Sequence, residues 1–597
     1  GNFYALIKPF DGLTFRSSIG GYYFNFNNRD YNYRYLGDSE PQASFSFSEG
    51  STYGYSYTFT NTLTYEKLFA DKHKLKVLLG QEAIEGTNTP VAAPRGRRLQ
   101  GSGINPFSTD LDFVTLSAVQ SPVVQSFIFK GANFSSLFGQ VQYNYDERYY
   151  LSAVVRRDGS SVFGANNRYG TFPAFSGAWR IIGESFMDNQ NFFQDLKVRA
   201  GWGQMGNSNN VDPANQFSLA ASDLGNTFYP IGGQNSGADE GFATSRIGNP
   251  DAKWETSTTT NVGFDATILD NHVDIEFDWW KRDTEDLLFR VPLAGVTGNF
   301  AQPPSSHVGS MFILGVDLRF VWYGNFTEDF SFDFAINNTF LKNEVVEFAP
   351  GIEFLDGVSY RGITPTRNQV GKPLSSFFGY DVIGYFADAA DVASSPAQDG
   401  AGVGRFKYRD VNGDGAITPD DRTYLGDPIA NYSGGATIDL KYKDLRMEMF
   451  WNWSTGLEVF NQSKWFRDFF GTFEGSAKGI AAFNSWTPEL GNSAAAPIWE
   501  SASNLSTSGA SNSWYVEDGS YARLQRLAFT YSFSQLVDNS NTLSKFDVGV
   551  SANNIATITG YSGLDPVVGG DADVRFGIDV GNYPVTPSYL INVNIGL

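Results

Sequence analysis

The chain closes on Tyr589-Leu590-Ile591-Asn592-Val593-Asn594-Ile595-Gly596-Leu597. A strand sends successive side chains to opposite faces. Tyr589, Ile591, Val593, Ile595 and Leu597 therefore share one face, and Asn592, Asn594 and Gly596 share the other, with Leu590 as the exception. An apolar face backed by a polar one, on a strand that follows many like it, predicts an all-β fold of a particular kind. It is a transmembrane antiparallel β-barrel of an outer membrane, with the apolar face toward lipid and the polar face toward a wet interior.

The same period recurs upstream. Leu137, Gly139, Val141, Tyr143 and Tyr145 alternate with Phe138, Gln140, Gln142 and Asn144. Val262, Phe264, Ala266 and Ile268 alternate with Asn261, Gly263, Asp265 and Thr267, and Val273, Ile275, Phe277 and Trp279 with His272, Asp274, Glu276 and Asp278. Later, Leu445, Met447, Met449, Trp451 and Trp453 oppose Arg446, Glu448 and Asn452, and Leu527, Phe529, Tyr531 and Phe533 oppose Ala528, Thr530 and Ser532. Composition agrees. Of 597 residues 16% are aromatic and 63 are glycine, which suits aromatic-rich strands joined by many turns. No stretch reaches the roughly 18 apolar residues of a membrane-crossing helix. A net charge of −21 argues against nucleic acid as a partner. The absence of cysteine is compatible with an exported protein.

Connections alternate between two lengths. Short turns fall at Phe10-Asp11-Gly12, Ala70-Asp71-Lys72, Asp146-Glu147-Arg148, Asp270-Asn271, Asn325 to Asp329 and Lys443-Asp444. Long loops cover 28–50, 88–132, 206–253, 290–309, 348–431, 461–519 and 557–587. Barrels of the outer membrane have short periplasmic turns and long extracellular loops, so this alternation assigns a side to every connection. The pattern gives about 17 strands. An odd number, in a barrel expected to begin and end in the periplasm, predicts an odd number of further strands before residue 1. No signal peptide is visible at residue 1, which also predicts a missing N-terminal part.

Several segments together resemble the SusC/RagA family of TonB-dependent outer-membrane transporters. They are Arg156 to Gly164 (RRDGSSVFG), Arg168 to Trp179 (RYGTFPAFSGAW), Val198 to Asn207 (VRAGWGQMGN), Asn249 to Glu255 (NPDAKWE) and Phe377 to Phe386 (FFGYDVIGYF). Phe406 to Pro428, Val516 to Leu524 (VEDGSYARL), and Val550 to Pro566 with Asn582-Tyr583-Pro584 complete the series in order. The resemblance implies a barrel of about 22 strands with a plug inside. Residues 1–597 would be its C-terminal part, without the plug and first strands. It also implies the outer membrane of a Gram-negative bacterium, a SusD-like surface lipoprotein as a lid, and TonB acting through the absent plug. The cargo would be an oligosaccharide (glycan) or oligopeptide. One departure is Leu597, where such barrels commonly end in Phe.

Inside the long loop 348–431, Asp410-Val-Asn412-Gly-Asp414-Gly415-Ala416-Ile-Thr418-Pro-Asp420-Asp421 has the spacing of a calcium loop. Oxygen ligands are expected at positions 1, 3, 5, 7 and 12 with Gly at 6. Asp410, Asn412, Asp414 and Asp421 would give side-chain oxygens and Ala416 its carbonyl, and the ion would order the loop. Position 12 is Asp rather than Glu, and an Asx-held turn without metal is the plainer alternative. Asp274, Glu276 and Asp278 could line a substrate path, or could be an ordinary polar wall paired with basic residues on neighbouring strands. Trp465, Phe466, Phe469, Phe470 and Trp486 could stack on sugar rings or grip peptide side chains, or could pack within the loops or against a lid.

An enzyme finds little support. His73, His272 and His307 are far apart, there is no cysteine nucleophile, and Gly201-Trp202-Gly203 opens no helix. Two alternatives to an importer remain. One is a structural or adhesive barrel that displays loops without transport; the other is a secreted β-rich enzyme acting on glycans, which would need paired carboxylates in a cleft.

Overall fold

The computed structural model describes residues 1–32, 46–86, 95–102, 123–128, 131–213, 215–222, 225, 227–229, 239–291, 298, 301–473, 476–538, 542–570 and 575–596. Most of the expected loop 88–132, parts of those at 28–50, 206–253 and 290–309, and Leu597 lie outside the described residues.

Nineteen strands belong to one antiparallel sheet. Two of them, Arg95–Ser102 and Val123–Ile128, form a hairpin that extends the start of a longer strand. The other seventeen are the strands expected from the period-2 pattern. They are β1 Asn2–Phe10, β2 Leu13–Asn32, β3 Ser46–Phe69, β4 His73–Glu85, β5 Phe134–Tyr145, β6 Tyr149–Ser160, β7 Tyr169–Arg180 and β8 Phe193–Asn207. Then come β9 Glu255–Ile268, β10 Val273–Glu285, β11 Gly309–Thr327, β12 Phe330–Phe348, β13 Tyr432–Tyr442, β14 Leu445–Thr455, β15 Tyr521–Ser532, β16 Lys545–Thr559 and β17 Ser588–Gly596. The six short turns fall where the sequence placed them. Four of them reverse the chain through positive φ at Ala70, Asp71, Asp146, Glu147, Asp270, Asn271 and Lys443, the hand that matches strand twist. At Gly12, φ is +85° and an added Cβ would meet the Glu66 carbonyl at 2.6 Å, so only glycine fits there.

The chain divides into two compact units. The first holds residues 1–179, 199–260 and 282–311. Register keeps one apolar face through it: Ile7, Phe15, Leu63, Leu79, Gly139, Val155 and Pro173 lie side by side from β1 to β7. Ile7, Leu63, Leu79 and Val155 are exposed. At the short-turn end, Phe69, His73, Tyr145, Tyr149 and Trp179 form a row across five strands. The centroids of His73–Tyr145, Tyr145–Tyr149 and Tyr149–Trp179 are 4.9, 6.2 and 6.4 Å apart. Such a row suits a membrane interface, where an apolar ring body and a polar tip are both solvated.

The second unit holds 180–198, 261–281 and 312–597. Phe332, Leu440, Met447, Phe529, Val550 and Ile591 form its lateral apolar row from β12 to β17. In water these rows would be a sticky patch; against hydrocarbon they are satisfied, and every strand interior bonds to its neighbours. Long-loop segments of this unit carry a separate hydrophobic core.

Candidate functional site

The long loops of the second unit pack on one another. Phe377, Tyr380, Tyr385, Phe406, Tyr408, Phe460, Trp486 and Tyr515 are buried together, drawn from 349–431 and 456–520. Tyr380 stacks on Tyr408 at 4.9 Å, Phe460 on Tyr515 at 5.1 Å and Tyr385 on Phe406 at 5.7 Å. Short ladders knit the segments: Phe377–Gly379 pairs with Thr423–Gly426, and Val382–Tyr385 with Phe406–Tyr408. Glu458–Asn461 pairs with Val516–Asp518 on one side and with Ile578–Asp579 on the other. No local periodicity announces this core, because its members are scattered between Ile363 and Tyr515 on either side of β13 and β14. The cue in the sequence was the density of Phe, Tyr and Trp inside supposed loops.

Charge is buried in it too. Lys464 Nζ lies 2.7 Å from Glu517 Oε1, donates to the Trp514 carbonyl at 2.7 Å and sits 4.4 Å above the Trp514 ring. Glu517 also accepts from Asn461 Nδ2, Ser562 Oγ and the Ser562 amide at 3.0, 2.8 and 2.8 Å. Burial pushes the Lys464 ammonium down, against the pull of Glu517. For Glu517 burial acts upward, but Lys464 and the Ser562 bonds outweigh it and hold the carboxyl below its usual range. Arg523 Nη2 meets Asp565 Oδ1 at 2.7 Å with both side chains almost fully covered, fastening the 560–587 segment to β15. Sequence reasoning named neither pair, because the partners are far apart in the chain.

The aromatic candidates divide. Trp486 is 6% exposed and its ring packs inside the loop core; Gly404, at φ +79°, lets the chain approach it so closely that a Cβ would lie 2.5 Å from the indole. That burial leaves Trp486 no face for cargo. Phe469 is likewise buried in the core, while Phe470, exposed, packs on Trp499. Trp465 is half-buried against the core. Phe466 joins Trp465, Phe473 and Tyr360 around Arg361, whose guanidinium lies 5.6–5.7 Å from each ring centroid. The acidic trio on β10 has partners at hand. Thr267 Oγ1 donates to Asp274 at 2.7 Å, Asn261 Nδ2 to Asp278 at 2.7 Å and Arg319 to Glu276 at 2.5 Å. Lys197–Asp265 at 2.7 Å continues the same polar wall.

In the 410–421 loop the carboxylates are engaged by backbone amides. Asp410 accepts from Gly413 and Gly415, Asn412 from Asp414, and Asp414 from Ala416. Asp421, fully buried, accepts from Val411, Asn412 and Thr418 and closes a capping box with Thr418. Its burial favours the neutral acid, but these amides win and keep it below the usual carboxylate range. The order that calcium was expected to impose thus has a source in amide bonds. Gly413 and Gly415 take the left-handed turn the spacing requires, with open space beside them. A metal would draw on Asp410, Asn412, Asp414 and the Ala416 carbonyl, with Asp421 already committed as a staple. Among the described residues no three His, Cys, Asp or Glu side chains are gathered into a metal cluster.

The histidines have local roles. His73 Nδ1 is 2.7 Å from the Tyr143 hydroxyl, and His272 Nδ1 is 2.8 Å from the Leu269 carbonyl.

Long amphipathic antiparallel strands with exposed apolar rows, joined by alternating short turns and long packed loops, define an outer-membrane β-barrel protein. The family model described as TonB dependent receptor-like, beta-barrel, matches residues 4–461, and the chain belongs to that family, whose members sit in the outer membrane of Gram-negative bacteria. TonB-dependent receptor P3 of Formosa agariphila is 27% identical over 608 residues, covering 100% of this chain and 57% of that protein. TonB-dependent receptor SusC of Bacteroides thetaiotaomicron is 28% identical over 474 residues, covering 77% and 43%. The chain thus spans about half the length of the curated relatives it matches. In fold it is similar to the RagAB peptide transporter, with a TM-score of 0.79 at 23% identity, covering 100% of this chain and 61% of that one.

Proposed function

We propose that this chain is the barrel part of a TonB-dependent importer. The cargo is an oligosaccharide or oligopeptide, a SusD-like lipoprotein is the lid, and TonB acts through a plug segment outside residues 1–597. The observation that carries the reading is the loop core. Loops that merely display epitopes need no shared interior, whereas a lid needs a firm seat. On that seat the short helix Ile480–Phe483 leaves Ile480 and Phe483 83% and 85% exposed, as a partner contact requires. The similarity to a TonB-dependent receptor of Bacteroides thetaiotaomicron supports TonB dependence, and the fold likeness to the RagAB peptide transporter supports a peptide as one of the two cargoes. Gentle extraction of the full-length protein should bring a surface lipoprotein with it, and Ile480→Asp with Phe483→Asp should release that lipoprotein. Purification without any lid, with uptake unchanged by the double variant, would refute the reading.

We also propose calcium at Asp410, Asn412, Asp414 and Ala416, on the strength of ligand spacing and the Gly415 turn.

A further inference from the structure

Strands β2 and β3 are longer than a membrane requires. They run over 20 and 24 residues, whereas about 9–11 tilted residues cross a bilayer. Their register is unbroken from Leu13↔Tyr65 to Asn32↔Ser46. The surplus therefore lies at the long-loop end, where it continues the barrel wall outward. One face of it is aromatic. Phe15, Leu63 and Leu79 belong to the lipid-facing row, and period 2 puts every odd residue of β2 and β3 on that same face. Ile19 and Phe59 pair there, followed by Tyr57, then Tyr23 beside Tyr55, then Tyr53. All six are exposed, Tyr23 at 65%. Gly54, Ser56 and Thr58, on the other face of β3, are buried or half-buried, so the tyrosines point away from the interior. Asn25, Asn27 and Ser51 follow on the outward face and are exposed too. Tyr57 donates its hydroxyl proton to Glu85, and Arg29 Nε meets Glu49 Oε1 at 2.8 Å across the two strands.

Height decides what can cover this face. Phe69, at the foot of β3, stands in the aromatic row of the short-turn end. A strand that rises about 3.4 Å per residue at a tilt of about 40° climbs about 2.6 Å per residue, so an apolar band about 25 Å tall is crossed in about ten residues. Ten residues up from Phe69 is Phe59. Tyr57, Tyr55 and Tyr53 then stand about 5, 10 and 16 Å above the hydrocarbon. A phospholipid headgroup layer is about 5–8 Å deep. It covers Tyr57 and leaves Tyr23, Tyr55 and Tyr53 above it. A headgroup that carries sugars reaches them.

We propose that the outward tyrosine face of β2 and β3 docks the saccharide headgroup of the outer leaflet's glycolipid. The face is continuous with the lipid-facing row beneath it, so a molecule anchored there by its acyl chains has its headgroup at this height. Tyrosine offers a ring to the C–H face of a sugar and a hydroxyl to its rim, and the Asn25 and Asn27 amides and the Ser51 hydroxyl carry polar contact further up. In open water the same rings would be an exposed apolar patch. The proposal concerns the outer wall alone and does not depend on the import reading.

The test uses the full-length protein in phospholipid nanodiscs. These contain either the intact glycolipid of the host's own outer membrane or the same glycolipid trimmed of its outer sugars to the acylated, phosphorylated base. Glycolipid retained through a detergent wash is counted by native mass spectrometry. The native protein should retain the intact form in excess. Tyr23→Thr with Tyr53→Thr and Tyr55→Thr keeps β-branched residues on the strands and should cut that excess by about tenfold. Tyr22→Thr, on the opposite face, should leave it unchanged. Heat-modifiable mobility reports folding independently; if the triple variant does not fold, Tyr55→Thr alone should cut the excess by about twofold or more. Equal retention of the two forms by the native protein overturns the proposal. So does a folded variant that keeps the excess, or a loss that Tyr22→Thr reproduces. Unchanged retention in a triple variant whose particle mass halves by light scattering, or which sheds the lid lipoprotein, also overturns it, and assigns the face to a second copy or to the lid.

Discussion

Phe406→Ala tests whether the loop core is one cooperative body carried by strands that do not depend on it. Phe406 is fully buried, with Tyr385, Tyr408, Phe469 and Trp514 ring centroids at 5.7, 6.3, 6.3 and 5.6 Å. Truncating a buried Phe costs about 3–5 kcal/mol in lost transfer and cavity terms. At about 1.4 kcal/mol per tenfold, local opening of the core becomes roughly a hundred to a few thousand times more populated. The strands keep their ladders, since β12 to β17 pair residue by residue without any contribution from 406. The assay is pulsed thermolysin digestion of the full-length protein in micelles, read by mass spectrometry, beside heat-modifiable mobility of the barrel on gels. Cleavage between 377 and 515 should accelerate by about two orders of magnitude while the barrel still migrates as folded. Unchanged cleavage would refute the cooperative core, and loss of the folded barrel band would refute its independence.

Three further outcomes are expected. Asp565→Ala strands Arg523 without its partner and should cost about 3–5 kcal/mol locally, seen as faster cleavage in 560–587, whereas Asp565→Asn should cost less; equal effects would count against the ion pair. Burial, aided by the charge of Glu458, raises the Asp427 carboxyl to about 6 from 3.8. An acid raised on folding stabilises the fold below its ordinary value and loses that contribution as pH climbs through the raised one. Digestion of the loop core should therefore quicken between about pH 4 and 6 in the native chain and less so in Asp427→Asn; parallel pH profiles would exclude Asp427 as the cause. For the 410–421 loop, calcium-competed terbium luminescence should appear in the native protein and vanish in Asp410→Ala with Asp414→Ala. An absent signal in the native protein would remove the metal.

How much of this was readable beforehand follows from what each feature requires locally. A strand in a lipid-facing sheet must alternate over its whole length, so Val273, Ile275, Phe277 and Trp279 declare β10 within eight residues. The two-residue turn Lys443-Asp444 is just as local. The strand count of about seventeen was legible on such grounds, and the alternation was plainest in β5, β9, β10, β14, β15 and β17. Two local features that the alternation does not announce are the short 3₁₀ turns Ile181–Gly183 and Ser185–Met187 after β7 and the one-turn helix Ser534–Asp538 after β15.

The loop core escaped for the opposite reason. Tyr380 meets Tyr408 and Asn512, Phe460 meets Tyr515 and Phe377, and Lys464 meets Glu517, all across separations that no sequence period encodes. For Trp486 the packing alternative rests on contacts of the same distant kind. An aromatic in a loop looks available until the other loops are in place, and here Gly404 and Ile498 close over it. The 410–421 loop shows the limit of a motif. The spacing that suits calcium also suits amide capture, since a carboxylate three residues before a glycine accepts its N–H whether or not a cation is present. Spacing specifies where the oxygens sit along the chain. Which atoms finally satisfy them depends on Asp421, and Asp421 is buried beneath the amides of Val411 and Asn412. A titration can therefore separate two readings that the sequence presents as one.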